Sequence, residues 1–465
     1  MSTLKLNLWQ DIVEAVKGTE QDFTNVRLDR AILLLAIPMV LELVMESIFA
    51  VVDIFFVSKI GPGAVAAVGI TESILTIVYS LGSGLSIATT ALVARRIGEK
   101  NIKGAAKATV QAIFLGFFVS LPIFFIGILF ARDLLRIMGA SPEVVENGFM
   151  YTALMLGCTG LIMLLFIINA VFRSAGDAAI SMRVLWLANI INIILDPCLI
   201  FGLGPFPELG VKGAAIATII GRGIAVLYQF LLLFKGKGRV KINTHLFRAD
   251  FKVMKQLLRL SLGGTGQAII AMSSWVGLVR IIAVFGSEVL AGYTIAIRII
   301  IFSLLPSWGL ANAAATLVGQ NLGAKKPERS ERAVWITGFA NMALLGVIAV
   351  MYIVFSEHII RLFISEANVV TSGAVCLRVI SYGYLFYAFG MVIVQGFNGA
   401  GDTATPTKIN IFCYWLLEIP LAWFLALPLN MAESGVYVAI LVAEAVMTVV
   451  GIILFRRGKW KEQQV

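Results

Sequence analysis

The chain has 465 residues, 59% of them hydrophobic and 14% charged, with a mean hydropathy of +0.92. Soluble domains average about 45–50% apolar and ~25% charged residues, so a string of soluble domains is excluded. The formal charge of +10 does not indicate nucleic acid, because the basic residues sit in short connections between apolar runs, where the positive-inside rule puts them.

In chain order, residues 1–30 read as a cytoplasmic arm. Asp11, Glu14, Glu20 and Asp22 interrupt it, so it lacks the apolar core of a cleavable signal. Trp9, Ile12, Val13 and Val16 share one helical face, which suits a helix on the membrane surface or a solvated arm. Twelve apolar runs able to span a bilayer follow. They lie near 31–57, 64–94, 108–131, 148–171, 184–203 and 211–234, then 260–285, 290–318, 333–356, 372–396, 409–429 and 436–455. The expected fold is an all-α integral membrane protein of twelve transmembrane helices. The four cysteines, Cys158, Cys198, Cys376 and Cys413, fall inside these runs, so neither a disulfide framework nor a closely spaced metal site is read.

Lys and Arg concentrate in alternate connections: Arg95 to Lys107, Lys235 to Arg259, Lys325 to Arg332 and Arg456 to Lys461. Both termini are therefore expected in the cytoplasm. Within the chain, Ala-Gly-Asp at 175–177 recurs at 400–402, Leu-Val at 92–93 with Gly98 recurs at 317–318 with Gly323, and Gly61 recurs as Gly286, each pair 225 positions apart (402 − 177, 323 − 98, 286 − 61). A constant offset across five helices indicates a duplicated six-helix lobe, 31–234 and 260–455, joined by a basic linker over 235–259 and followed by a tail over 456–465. With an even number of helices per copy, the repeats are parallel, and alternating access by rocking is the expected mechanism.

An ionised group at the bilayer centre is costly, so intramembrane acids are functional candidates. Glu42, Glu46 and Asp53 of the first run lie at about 0°, 40° and 20° around a helix, one stripe. Asn189, Asn192 and Asp196 form a stripe on the fifth run, and Pro197 loosens the turn beside it. Counted from the outer connections, Asp53, Asp196, Thr218 and Tyr151 share a layer ~6–12 Å deep. No Lys or Arg is expected at that depth, which favours ion coupling over a purely structural hydrogen-bond network. A proton needs one such carboxylate; sodium needs several oxygens, which Asp53, Asn192, Asp196 and Thr218 offer. Both ions stay open.

In the second lobe the positions equivalent to Asp53, Asn192 and Asp196 are leucines 278, 417 and 421. Its own polar oddities are Glu418, Arg280, Arg298 and the tyrosines 382, 384 and 387, with Glu418 expected either to pair with an arginine or to face a cavity. Aromatic and Met residues suit a cavity for flat lipophilic cations, with Glu42 and Glu46 supplying negative charge; core packing explains them as well. No enzyme is read: His245 and His358 lie in opposite aqueous regions, and no nucleophile and base meet at one depth. A receptor or scaffold would show no gradient-driven flux.

The Ala-Ile-Pro at 36–38, Val-Asp-Ile-Phe-Phe-Val around Asp53, Asn-Ile-Ile-Leu-Asp-Pro at 192–197 and Gly-Val-Lys-Gly-Ala-Ala-Ile-Ala-Thr at 210–218 make the chain resemble a multidrug and toxic compound extrusion (MATE) antiporter over nearly its whole length. The resemblance implies two lobes in a V, and a monomeric exporter in the cell membrane that exchanges amphipathic organic cations for H+ or Na+, without cofactor or nucleic acid. By position it implies a coupling cluster of Asp53, Asn192, Asp196, Thr218 and Tyr151, a bending point at Pro38 and a polar substrate contact at Asn169. The NorM-like branch has further acids in helices seven and ten, where this chain offers Gln267 and tyrosines, so it looks closer to the DinF-like and archaeal type. Gln267 and Glu418 join Glu42, Glu46 and Asn169 as expected cavity residues. A lipid-linked oligosaccharide or lipid flippase of the same superfamily is the alternative, kept open by Arg280 and Arg298.

Overall fold

The computed structural model describes residues 8–19 and 21–464, and every regular element among them is helical. Residues 1–7 and Glu20 of the expected arm lie outside the described residues. The helices are α1 Leu8–Lys17, α2 Leu28–Ser58, α3 Pro62–Gly98, α4 Ile102–Ile137, α5 Pro142–Gly157, α6 Thr159–Ala175, α7 Ala178–Phe201 and α8 Val211–Lys235. They continue as α9 Phe251–Ile282, α10 Ser287–Gly323, α11 Pro327–Arg361, α12 Ala367–Ser381, α13 Tyr384–Ala400, α14 Ala404–Asn410, α15 Ile419–Ala426 and α16 Ala432–Arg456, with a π-helical stretch Ile411–Glu418 joining α14 to α15.

Among the described residues, ten helical stretches are long and apolar enough to cross a bilayer, twelve if each of two bent pairs is one span. The runs expected near 148–171 and 372–396 are each a bent pair: α5 and α6 meet at 41°, α12 and α13 at 55°. The first break is at Cys158 and the second at Tyr382–Gly383, again 225 apart (383 − 158). Backbone conformation repeats with the same offset. Lys100 and Lys325 are both at φ 58°, a left-handed value unusual for lysine (325 − 100 = 225), and Gly176 and Gly401 both end helices there (401 − 176 = 225). The duplication is thus written in torsion angles as well as in residues.

Local chemistry sets the ends. Asn101 and Ser141 cap α4 and α5 by accepting from the amides of Gly104 and Val144, and prolines 62, 142 and 327 occupy first-turn positions that need no donor. The α9 helix begins at Phe251, because the Asp250 carboxylate accepts from the amides of Lys252 and Val253.

The chain divides into two compact units, one running to Gln21 and resuming over Leu41–Thr265, the other comprising Asp22–Val40 and Gly266 onward. In the first, α8 lies against α7 at glycines: a Cβ on Gly221 would meet the Ala188 carbonyl oxygen at 2.6 Å. In the second, Tyr293, Tyr384, Tyr437, Phe397, Phe455 and Trp460 form a buried aromatic core, with Phe455 stacked on Trp460 at 4.4 Å between centroids. The α4 helix turns Phe117, Phe118, Phe125 and Leu129 outward, as expected where lipid is the solvent.

Candidate functional site

The acids of α2 are held one by one in the first unit. Glu42 is buried, and its Oε1 accepts from Arg173 Nη1 of α6 at 2.7 Å and more weakly from Asn169 Nδ2 at 3.5 Å. Asn169 in turn accepts from Gln229 Nε2 of α8 at 2.7 Å. One turn along, Glu46 accepts from Asn189 Nδ2 of α7 at 3.0 Å. The two asparagines of the α7 stripe therefore serve different partners, because Asn192 donates instead to Thr218 Oγ1 of α8 at 2.9 Å.

Asp196 is different. It is wholly buried and neither carboxylate oxygen has a hydrogen-bond partner; the Oδ1 of Asn192, one turn away, also has none. Asp53 is close enough to act electrostatically on Asp196 and on the buried Tyr151. Asp53, Tyr151, Asn192, Asp196 and Thr218 thus fall in one region of one unit.

The structure corrects one premise: a cation is present. Arg222 of α8 acts on Asp53, on Glu72 and Tyr79 of α3, and on Tyr151, and it is hydrogen-bonded to Tyr79. Arg222, Glu72, Tyr79, Arg173 and Gln229 were not read from the sequence. The signal existed, since Arg222 is four residues after Thr218 and Arg173 four after Asn169, the helical neighbour spacing. Glu72 and Tyr79 likewise lie seven apart on one face of α3.

The second unit carries a neutral version of the Glu42–Arg173 pair. The equivalents are Gln267 and Asn398 (267 − 42 = 225, 398 − 173 = 225), and their amides bond reciprocally at 3.0 and 3.1 Å. Among the described residues no arginine pairs with Glu418, so the expected ion pair with Arg280 or Arg298 is absent; Glu418 Oε2 lies 2.5 Å from Ser274 Oγ instead. Pro38 is inside α2, in the segment that groups with the second unit.

A duplicated helical membrane protein with buried carboxylates on facing helices has the build of a secondary transporter. The chain belongs to the MatE family, whose sequence model matches residues 38–198 and 266–424, one stretch in each half. It is 26% identical over 440 residues to the probable multidrug resistance protein YoeA of Bacillus subtilis, covering 94% of this chain and 95% of that one. It is 24% identical over 435 residues to the probable multidrug resistance protein NorM of Thermotoga maritima, covering 93% of each. Among solved structures it matches a MOP superfamily transporter from Pyrococcus furiosus, whose binding pocket is described as of reverse polarity, suggesting a different function. That match has a TM-score of 0.88 and 25% identity, covering 96% of this chain and 100% of the other.

Proposed function

We propose that this transporter exports amphipathic, mostly cationic organic compounds in exchange for H+ or Na+, with the coupling ion held by Asp53 and Asp196 and assisted by Asn192, Thr218 and Tyr151. One observation carries the reading: Asp196 is 0% exposed with both oxygens unpartnered. A buried carboxylate left so is costly, and binding a proton or a small cation removes the cost. Asn192 Oδ1 adds a third donor-free oxygen on the same helix face.

Charge balance supports a cationic cargo. Arg173 neutralises Glu42, so the negative charge left for a substrate is that of Glu46 and Glu72. Arg222 acts on Asp53, Glu72 and Glu46, and Asp53 in turn on Asp196, so this one guanidinium does not balance the four carboxylates. The set stays acidic until ions or an organic cation bind, so the two compete, and α2 bending at Pro38 as charge is neutralised turns that competition into exchange. The absence of further acids at the helix-seven and helix-ten positions supports the DinF-like and archaeal branch. The basic connections support cytoplasmic termini.

The test is uptake of an ethidium-like dye by vesicles containing the purified protein, driven separately by a pH and by a sodium gradient. The coupling ion is the one whose gradient drives flux, and Asp196→Asn abolishes that flux. Undiminished transport in the Asp53→Asn, Asp196→Asn double variant would refute the assignment. Preferential transport of an anionic dye would favour the flippase alternative.

A further inference from the structure

The second unit has an acidic pair of its own. Glu418 ends the π-helical stretch and Glu444 lies in α16; both are buried, 4% and 2% exposed. The α16 helix begins and ends 221 residues after α8 (432 − 211, 456 − 235), which sets Glu444 level with Gly223 and not with the bonded Thr218.

The hydrogen bonds around it count protons. Ser274 Oγ of α9 lies 2.5 Å from Glu418 Oε2 and 3.2 Å from the carbonyl oxygen of Tyr414. A serine hydroxyl has one proton. Both contacts are two-centre hydrogen bonds when Glu418 carries its own proton and donates it to Ser274, which then donates to the carbonyl. Tyr414 is also the link to the other acid, donating its hydroxyl to Glu444 Oε1 at 3.0 Å, and Tyr387 of α13 turns its hydroxyl to the same carboxylate. The second Glu444 oxygen is buried and has no hydrogen-bond partner. The ionisable groups acting on the pair are Tyr387, Tyr414, Cys413 and, from α10, Tyr293; α15 contributes none, and no Lys or Arg acts on it among the described residues. Two buried carboxylates without a counter-cation do not both hold charge.

We propose that Glu418 and Glu444 form a second proton-binding site, confined to the second unit, in which one exchangeable proton stays on Glu418 and is held there by a hydrogen-bond chain that runs through Ser274 Oγ to the Tyr414 carbonyl. The proposal goes beyond the first-unit coupling site and does not depend on it.

The test uses full-length protein carrying Asp53→Asn and Asp196→Asn, so the outcome is independent of what those residues do. Infrared acid-minus-alkaline difference spectra read protonated carboxyl groups directly. The expected result is a carboxyl C=O band that Glu418→Gln removes and that Ser274→Ala preserves but moves to higher frequency, because the acid has lost its acceptor. Spectra of the Glu418→Gln variant superimposable on the parent, a Ser274→Ala band that does not move, or loss of the parent band on adding sodium at fixed pH would each overturn the proposal. Should Glu418→Gln not fold, Glu418→Asp replaces it, and an unmoved band there counts against the proposal equally.

Discussion

Transplanting the second unit's neutral pair into the first separates charge from shape at Glu42. Arg173→Asn alone leaves Glu42 as a buried carboxylate whose Oε2 already has no partner. Removing one member of a buried ion pair costs about 3–5 kcal/mol, and here the side chains are 4% and 16% exposed, so solvent screens little of it. At roughly 2–4 °C per kcal/mol for units of this size, Arg173→Asn should lower the apparent Tm by roughly 6–20 °C. Glu42→Gln alone strands the arginine and should cost a similar amount. The double variant recreates the reciprocal amide pair of Gln267 and Asn398, and should recover to within about 1 kcal/mol, the net worth of a hydrogen bond. The assay is thermal unfolding of the purified protein followed by intrinsic tryptophan fluorescence, arranged as a double-mutant cycle. Additive losses in the double variant would refute the reading of these positions as one coupled pair.

Three further outcomes are expected. Gly221→Val should destabilise by about 1–3 kcal/mol through overpacking, because its side chain meets the Ala188 carbonyl; α8 should then lift from α7 and loosen the Asn192–Thr218 bond, read as faster amide exchange in both helices. Lys107 donates to Asp250 and holds its carboxyl below the usual carboxylate range, so the contribution of that contact is complete above the ordinary value of about 4 and is lost as pH falls through the lower folded one. Amide protection at residues 252–254, taken relative to the intrinsic exchange rate at each pH, should therefore fall at acid pH, and Asp250→Asn should show that loss already at neutral pH. Arg222→Met removes the guanidinium acting on Asp53 and Glu72; organic-cation affinity should rise several-fold, and an unchanged affinity would separate Arg222 from the cargo.

Much of the fold was legible because the bilayer imposes long apolar runs and the duplication imposes one offset. What the runs concealed was breakage. Cys158 and Tyr382–Gly383 interrupt helices whose hydropathy is continuous, since a bend changes direction without changing composition. In the site, Asp53, Asn192, Asp196 and Thr218 stood out as polar residues in apolar surroundings. Arg222 and Glu72 carry the same signal, and what they needed was the helical spacing applied onward from Thr218 and across to α3. Glu444 lay equally in view, four residues beyond Ile440 in an apolar run. Its meaning depended on Tyr414, which a π-helical turn brings to it and which no regular α periodicity predicts.

The account's central claim is that one ion and one organic cation compete through Asp53 and Asp196. It is tested most directly by equilibrium binding of an ethidium-like cation to the purified protein at a series of pH values and sodium concentrations. Linkage requires the cation's affinity to fall as the coupling ion rises, and the dependence should be flat in the Asp53→Asn, Asp196→Asn variant. An ion dependence of the same slope in that variant would contradict the claim.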